Sequence, residues 1–128
     1  HRIKLHRQPK SLSHLIKQCN IAISAGGMTL YELAAHGVPS IGIILWENQR
    51  MNVERLGEAG VIIPLRYVDE FGFEEILGEA IRELVGNFEK QKKLQQAGRT
   101  LIDGQGARRV AKALIDLAQY RKGQEYGA

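Results

Sequence analysis

A pair of glycines and the residues next to it form the segment of this sequence best suited to bind an anion. Gly26 and Gly27 follow an apolar run and precede a helical pattern. Glycine lets the backbone approach a ligand closely, and the unpaired amides at a helix start attract negative charge. The pair therefore predicts a phosphate site, but a tight turn requires the same residues, so the pair alone does not separate the two uses.

Two polar residues in the same segment have two interpretations. Thr29 and Glu32 are three positions apart, which is the spacing of a capping box, where each side chain satisfies a backbone amide of the first helical turn. In the functional alternative, the Thr29 hydroxyl faces phosphate and the Glu32 carboxylate accepts hydrogen bonds from two ribose hydroxyls. An acceptor-only carboxylate suits such a diol. Both interpretations stay open from the residues alone.

Three amide side chains lie at or just inside the start of a later helical pattern: Asn48, Gln49 and Asn52. Gln49 and Asn52 share one helix face because they are three positions apart. Amides both donate and accept hydrogen bonds, which suits the hydroxyls of a sugar. The alternative is that Asn48 caps the helix while the other two are solvated, and the strong preference of asparagine for helix caps favours it.

No catalytic set is recognisable in the sequence. His1, His6, His14 and His36 share no motif with an acid or a nucleophile, and no Asp-x-Asp or histidine cluster has the spacing of a metal site. We therefore expect neither a metal nor another cofactor. Cys19 is the single cysteine, which excludes a disulfide framework and favours a reducing, cytoplasmic setting.

The charge of the chain is unevenly placed along its length. Five basic residues precede the first acidic residue, Glu32, although the whole chain carries 18 basic and 14 acidic residues. This asymmetry favours an anionic ligand near the amino-terminal segment, with phosphate the commonest candidate, or else a solvated edge. Nucleic acid is not expected as a partner, because the basic residues are not interleaved with aromatic residues that could stack on bases.

The elements that must position these residues alternate between strand and helix. Apolar periodicity predicts strands over residues 2–6, 20–24, 40–45 and 61–63, the last closed by Pro64. It predicts helices over residues 11–18, 29–36, 48–58, 73–85, 88–103 and 107–121. The pattern indicates an α/β fold with a Rossmann-like parallel sheet of about four strands, helices on both faces and a helical carboxyl-terminal third. The strand over residues 40–45 is apolar on both faces and should be central.

The length of 128 residues suits one compact core and is too short for two ordinary domains. We expect one domain over residues 1–122 and a frayed tail over residues 123–128. The apolar stretches are too short to span a membrane and no secretory signal is visible, so a soluble domain is expected. Since the first residue is not methionine, we also expect the chain to be a fragment of a larger two-domain protein.

Ligands of open parallel sheets bind beyond the carboxyl ends of the strands. Three segments follow predicted strands and are therefore candidates for the site: the pair His6 and Arg7, residues 25–32 and residues 46–52. We expect the carboxyl ends of the parallel strands to bring these segments to one edge of the sheet.

The ordered combination of motifs resembles the carboxyl-terminal domain of GT-B glycosyltransferases. It consists of the run IAISAGGMTLYELAAHGVPSI over residues 21–41, the pattern ENQxxN over residues 47–52 and the tripeptide EAG over residues 58–60. Within that group it is most similar to two relatives. One is the family 28 transferase that adds N-acetylglucosamine to the peptidoglycan lipid precursor, and the other is the UDP-sugar hydrolase of pseudaminic acid biosynthesis.

The resemblance implies a role for each candidate residue. By this resemblance, the diphosphate of a UDP-sugar would be held by Gly26, Gly27, Met28 and Thr29. The ribose would be bound by Glu32, and the base would contact the backbone near His6 and Arg7. Asn48, Gln49 and Asn52 would bind the sugar or the phosphates. Met28 departs from the hydrolase group, which usually has a small hydroxyl residue there, whereas the aromatic Tyr31 agrees with that group.

The resemblance leaves three hypotheses about function. The first is the UDP-sugar donor domain of a glycosyltransferase of cell envelope polysaccharide biosynthesis, which transfers a hexosyl or N-acetylhexosaminyl group. The second is the carboxyl-terminal half of a hydrolase of nonulosonic (pseudaminic) acid biosynthesis. The third is a non-catalytic α/β module that binds a nucleotide or a partner protein.

In the resembling enzymes the acceptor-side base lies largely in an amino-terminal domain, which would be the partner of this one. We therefore expect no catalytic residue in this chain, and expect the isolated fragment to bind its ligand without turnover. Peripheral membrane association of the full-length protein is compatible with the resemblance.

Overall fold

A computed structural model of the chain describes residues 2–125 and confirms an α/β fold. Its elements, in chain order, are α1 (Leu12–Ile16), β1 (Ala22–Ala25), α2 (Met28–Ala35), β2 (Ser40–Ile44), α3 (Glu47–Glu58), β3 (Ile62–Tyr67), α4 (Phe73–Gly86), α5 (Phe88–Leu101) and α6 (Gly106–Glu125). Strand and helix alternate as far as β3, and three consecutive helices follow. The predicted helical carboxyl-terminal third is thus confirmed.

The sheet has the order β1-β2-β3, and both pairs of neighbouring strands are parallel. All five residues of β2 are buried, as its apolar sequence predicts for a strand with a neighbour on each side. β1 and β2 are in register over four residue pairs, from Ala22 with Ser40 to Ala25 with Ile43. This register brings the carboxyl ends of the two strands to the same edge of the sheet.

Helices cover both faces of the sheet, each over its own apolar cluster. On one face, Leu30 of α2 and Val53 of α3 pack with Ile62 of β3. On the other face, Leu84 of α4 packs with Ile41 of β2. The side chains of β2 alternate between these faces, so this one strand joins both halves of the core.

The first predicted strand is wrong, and the described part of the sheet has three strands instead of about four. Residues 2–6 form no strand and pair with none. Ile3 and Leu5 provide the apolar alternation behind the prediction, yet their side chains are 96% and 74% exposed. The apolar alternation is present in these residues, but a strand also needs a paired neighbouring strand and an apolar face to pack on. Nothing in the described residues supplies either.

β3 continues beyond Pro64, which was predicted to close it. Proline is tolerated there because β3 is an edge strand and pairs with β2 on one side only. The register changes across this region, from Gly42 with Pro64 to Ile44 with Tyr67. β3 therefore ends level with the carboxyl end of β2, which places Tyr67 at the edge where β1 and β2 also end.

α5 packs against α2 and holds it in place. A Cβ atom on Gly98 would lie only 2.8 Å from the carbonyl oxygen of Ala34, so the two helix backbones approach each other as closely as only glycine allows. The next residue of α5 also holds α2: Arg99 Nη2 donates to the carbonyl oxygen of His36, just past the end of α2, at 3.3 Å. These contacts fix the axis of α2 and hence the direction of its amino terminus.

α6 projects from the rest of the chain with its side chains exposed from residue 106 to residue 124. Its exposed large apolar residues are Val110, Leu114, Ile115, Leu117 and Tyr120. α6 continues to Glu125, and the frayed tail expected over residues 123–128 stays a prediction. Residues 126–128 lie outside the described residues. Within residues 2–125, no helix is long and apolar enough to cross a membrane.

Candidate functional site

Two loops meet at the carboxyl edge of the sheet. The glycine loop connects β1 to α2 through Gly26 and Gly27, and the neighbouring loop connects β2 to α3 through Leu45 and Trp46. The Gly26 amide donates to the carbonyl oxygen of Ile43 at 2.9 Å, so the β1–β2 pairing continues into the first residue of the glycine loop. Of the three candidate segments, the structure brings residues 25–32 and 46–52 together here.

The amides of the two glycines are not free. The Gly26 amide bonds to Ile43, and the Gly27 amide donates to the carbonyl oxygen of Ala25 at 2.8 Å. The unpaired amides lie one step further along the chain. Among the described residues, no acceptor is found for the amides of Met28 and Thr29, the first two residues of α2. An anion would therefore be bound by the helix start instead of by the glycines themselves.

The start of α2 has the properties of an anion site. Gly27 is the N-cap residue and has no side chain with which to satisfy the first amides. The free amides coincide with the positive end of the helix dipole, which adds its attraction for negative charge. The Met28 side chain is exposed and Thr29 is half-buried at this position. This part of the site depends on backbone groups, so a methionine at position 28 is compatible with it.

The two glycines have different packing environments. A Cβ atom on Gly26 would lie 2.5 Å from Val53 Cγ2 and 2.9 Å from Gln49 Cβ, so α3 passes too close for any other residue. A Cβ atom on Gly27 would meet nothing within 4 Å. Gly26 is thus required for packing, whereas a side chain at Gly27 would enter open space.

The capping-box interpretation of Thr29 and Glu32 is wrong. Because Gly27 is the N-cap, Thr29 is the second residue of α2 and not its cap, and no side chain makes a capping hydrogen bond there. Glu32 lies on the exposed side of α2 and has no hydrogen-bond partner among the described residues. Its carboxylate is therefore available to a ligand one turn beyond the free amides.

The interpretation of Asn48 as a helix cap is also wrong, because α3 begins one residue earlier than predicted. Trp46 is the N-cap, with no capping hydrogen bond from its side chain, and Asn48 is the exposed second residue of the helix. The same interpretation predicted that Gln49 is solvated, which is also wrong. Its Oε1 accepts a hydrogen bond from the amide of Leu45 at 3.1 Å. Gln49 thus fastens α3 to the end of β2.

Asn52 links α3 to the glycine loop. Its Nδ2 donates to the carbonyl oxygen of Gly26 at 3.1 Å, and its Oδ1 accepts from the hydroxyl of Tyr31 on α2, also at 3.1 Å. Both side chains are half-buried. The amide that was predicted to bind a sugar therefore already holds the loop on one side and α2 on the other.

A third connection joins α3 to β3. The hydroxyl of Tyr67, the last residue of β3, donates to the carboxylate of Glu47, and Arg50 Nε pairs with the same carboxylate at 3.0 Å. The first two turns of α3 are therefore fastened to the ends of β2 and β3 and to the glycine loop that follows β1. The sequence analysis missed the bond between Tyr67 and Glu47, because the two residues lie 20 positions apart and no local pattern relates them.

The structure does not bring His6 and Arg7 into the site. Both are exposed and belong to a segment that pairs with no strand. The expected position, directly after the first strand of the sheet, does not exist in the described residues. Their proposed contact with a base stays a prediction. Residues 2–125 also contain no group of three or more histidine, cysteine, aspartate or glutamate side chains that could hold a metal ion.

Comparison with known proteins gives one family and several relatives. The family described as "Glycosyltransferase family 28 C-terminal domain" matches residues 8–114. The chain is 31% identical over 114 residues to the spore coat polysaccharide biosynthesis protein SpsG of Bacillus subtilis, which covers 89% of this chain and 33% of the relative.

Two further relatives share one name, UDP-N-acetylglucosamine-N-acetylmuramyl-(pentapeptide) pyrophosphoryl-undecaprenol N-acetylglucosamine transferase. The protein of Alkaliphilus oremlandii is 29% identical over 99 residues, which is 73% of this chain and 26% of the relative. That of Methylococcus capsulatus is 33% identical over 100 residues, 73% of this chain and 27% of the relative. This chain thus spans about a third or less of each relative. None of the three is named as a hydrolase.

Proposed function

This chain belongs to the family of glycosyltransferase family 28 C-terminal domains, and from that premise we propose that it binds the nucleotide-sugar donor of a glycosyltransferase. The observation that carries the proposal is the pair of free amides on Met28 and Thr29 at the start of α2. They lie beyond the carboxyl end of a parallel strand, where ligands of such sheets bind. Two relatives are transferases whose names begin with a UDP-sugar, which makes UDP the nucleotide to test.

The proposed contacts follow from the chemistry of each group. The free amides and the open space at Gly27 receive the diphosphate, and the exposed Glu32 carboxylate accepts hydrogen bonds from the ribose hydroxyls. Asn48 is exposed on the first turn of α3 and is the amide best placed to reach the sugar. Gln49 and Asn52 keep some hydrogen-bonding capacity for a ligand, but their main bonds are internal.

The proposed chemical role of the chain is to stabilise the leaving group. When the sugar leaves its nucleotide, negative charge grows on the diphosphate, and fixed amides at a helix start stabilise that charge without reorganising. The acceptor and its base would be supplied by the remainder of the protein, which closes over the donor. We accordingly expect the 128-residue chain to bind the donor without turning it over.

The remainder of the protein is also the proposed partner of α6. Interfaces between domains of one chain need apolar surface, and α6 exposes a row of large apolar residues. A hydrolase would use the same donor site with water as the acceptor. That alternative gains no support from the relatives and stays a prediction.

An NMR titration with UDP tests the site directly. We expect the amides of Met28 and Thr29 to shift most within residues 26–30, because they have no partner in the unliganded chain. The amide of Gly26 should shift least, since it stays bonded to Ile43. If millimolar UDP shifts none of these resonances, the chain has no diphosphate site at α2.

The variant Glu32→Gln tests the ribose contact. We expect it to weaken UDP binding by about tenfold or more, because hydrogen bonds to a charged group contribute about 1.5–3 kcal/mol. The free energy of unfolding should change by no more than about 0.5 kcal/mol, since Glu32 is exposed and unpaired in the chain. Calorimetry with 2′-deoxy-UDP is the control: the variant and the original chain should differ less with it. An equal loss with both nucleotides would place Glu32 away from the ribose.

A further inference from the structure

Asn52 is held in a single orientation by partners on both sides of its amide group. Its Nδ2 faces the carbonyl oxygen of Gly26 and its Oδ1 faces the hydroxyl of Tyr31, each at 3.1 Å. A carbonyl oxygen only accepts hydrogen bonds, so the NH2 end must point to Gly26 and the oxygen end to Tyr31. The Tyr31 hydroxyl must therefore donate its single proton to Asn52. The three groups form a chain of bonds with a fixed direction.

The peptide group between Gly26 and Gly27 is held at both of its polar atoms. The Gly26 carbonyl oxygen accepts from Asn52, and the Gly27 amide donates to the carbonyl oxygen of Ala25 at 2.8 Å. A trans peptide is planar, so fixing its oxygen and its amide fixes the orientation of the whole group. Gly27 is the N-cap of α2, and the free amides of the first turn follow directly. Their direction depends on this peptide.

We propose that Tyr31 is a positioning residue for the diphosphate subsite and that it acts through Asn52 on the peptide between Gly26 and Gly27. The inference rests on the proposed function, because the subsite is the one formed by the start of α2. The ring of Tyr31 packs against the apolar cluster beneath α2, so its hydroxyl is presented to Asn52 from a fixed base. Tyr31 thereby couples the core of the domain to the loop that meets the ligand.

The energetic reason is preorganisation. A loop that already has its bound orientation loses less conformational entropy when the ligand arrives, and affinity rises without any new contact. Glycine makes such support necessary, since Gly26 and Gly27 have the largest conformational freedom of any residues. Without the bond from Tyr31, the Asn52 amide could turn away and release the Gly26 carbonyl.

Removal of one hydroxyl tests the proposal. Tyr31→Phe keeps the packed ring, and in the 128-residue chain we expect it to raise the Kd for UDP by about three- to tenfold, the usual effect of one neutral hydrogen bond. Tyr67→Phe is the matched control, because it also removes a tyrosine hydroxyl that bonds to α3, at Glu47. We expect less than about a twofold change from it by the same measure. Unchanged affinity in Tyr31→Phe, or equal losses in both variants, would overturn the proposal.

A double-mutant cycle tests the route through Asn52. Asn52→Ala alone should weaken UDP binding, and adding Tyr31→Phe to it should change the Kd by less than about twofold, because the shared partner is already gone. If Tyr31→Phe has its full effect in the Asn52→Ala background, Tyr31 acts by another route and the proposal fails.

Measurements without ligand separate this proposal from the proposed function. In the unliganded chain, Tyr31→Phe should move the NMR resonances of the Gly27 backbone amide and the Asn52 side-chain amide, while its thermal midpoint stays close to that of Tyr67→Phe. If the original chain binds no UDP, the proposed function is wrong for this chain. The two resonances still decide whether Tyr31 orients the loop: their movement supports the positioning role, and their constancy overturns it.

Discussion

Gly26 and Gly27 are adjacent glycines with different physical requirements. Gly26 is required because α3 lies where its side chain would be, with Val53 Cγ2 at 2.5 Å from a Cβ atom. Gly27 has no such neighbour, and its φ of −93° and ψ of −164° are open to any residue. What distinguishes Gly27 is that it is the N-cap of α2 and that a side chain there would enter open space beside the proposed diphosphate subsite. A substitution at Gly26 should therefore mainly change the stability of the fold, and a substitution at Gly27 should mainly change ligand binding.

The variants Gly26→Ala and Gly27→Ala form a matched pair. Gly26→Ala should lower the free energy of unfolding by about 1–3 kcal/mol through overpacking against α3. Gly27→Ala should leave it unchanged or raise it by about 0.4–1 kcal/mol, because alanine reduces the freedom of the unfolded chain. Yet Gly27→Ala should weaken UDP binding by about tenfold, equivalent to about 1.4 kcal/mol, since the new methyl group takes space meant for phosphate. Urea unfolding and calorimetry measure the two effects, and unchanged affinity in Gly27→Ala would contradict the placement of the diphosphate.

At the scale of elements, α3 determines the geometry of the carboxyl edge. Gln49 fastens it to the end of β2, Asn52 to the glycine loop and Glu47 to the end of β3. Two of these three are amides that a sequence reading assigns to a ligand. Their internal bonds explain why α3 can bring its first turn against flexible glycines without a capping side chain of its own.

The junction between α5 and α6 depends on one carboxylate. Asp103 accepts from Arg109 Nη1 and Nη2 at 2.8 and 2.9 Å, and from the amide of Gln105 at 2.9 Å. The side-chain hydrogen bond from Arg109 holds the pKa of Asp103 well below its usual range. Asp103 thus fixes the first turn of α6 where the chain leaves the compact part of the domain.

The pH dependence of this junction follows from the direction of the shift. Because the pKa of Asp103 is lower in the folded chain, its stabilising contribution is complete above the ordinary value of about 3.9 and is lost as the pH falls towards the folded value. We expect an NMR titration of the Asp103 carboxyl to give a midpoint below that ordinary value. In Arg109→Gln the midpoint should move up, and high salt should reduce the difference, since the pair is exposed. Identical midpoints in both chains would show that Arg109 does not hold the carboxylate.

At the scale of the whole molecule, α6 is a helix whose side chains are exposed from residue 106 to residue 124. Val110, Leu114 and Leu117 follow at spacings of four and three, which places them on one side of the helix. Leu114 is 62% exposed in this chain. In the proposed two-domain enzyme, this side of α6 would pack on the remainder of the protein.

Two substitutions to glutamate, one on each of two opposite sides of α6, test that arrangement. In the 128-residue chain, Leu114→Glu should change the free energy of unfolding by less than about 0.5 kcal/mol, because Leu114 is exposed. In the complete protein it should cost about 2 kcal/mol or more, since a charge would be buried without a partner. Lys112→Glu, two residues away and on the opposite side, is the control and should be mild in both. Equal effects of the two variants in the complete protein would mean that another side of α6 makes the contact.

The sequence by itself determined the α/β class and the central place of β2, and it predicted an anion site at the glycine loop. These follow from short-range properties: periodicity of apolar residues, a fully apolar strand and glycines before a helix. Only the tertiary structure decided which amides are free. The Gly26 amide pairs with Ile43, whereas the amides of Met28 and Thr29 stay free. The sequence could not show this, because strand pairing depends on a neighbour that is distant in sequence.

The same reason explains the errors. The apolar alternation of residues 2–6 could not show that nothing in the described residues pairs with them. The spacing of Thr29 and Glu32 could not show that the N-cap of α2 is Gly27, two residues before Thr29. Asn52 had the right chemistry for a ligand, yet its partners Gly26 and Tyr31 lie 26 and 21 residues away along the chain. A side chain's type limits which bonds it can make, and only the packing of the elements determines which of those bonds form.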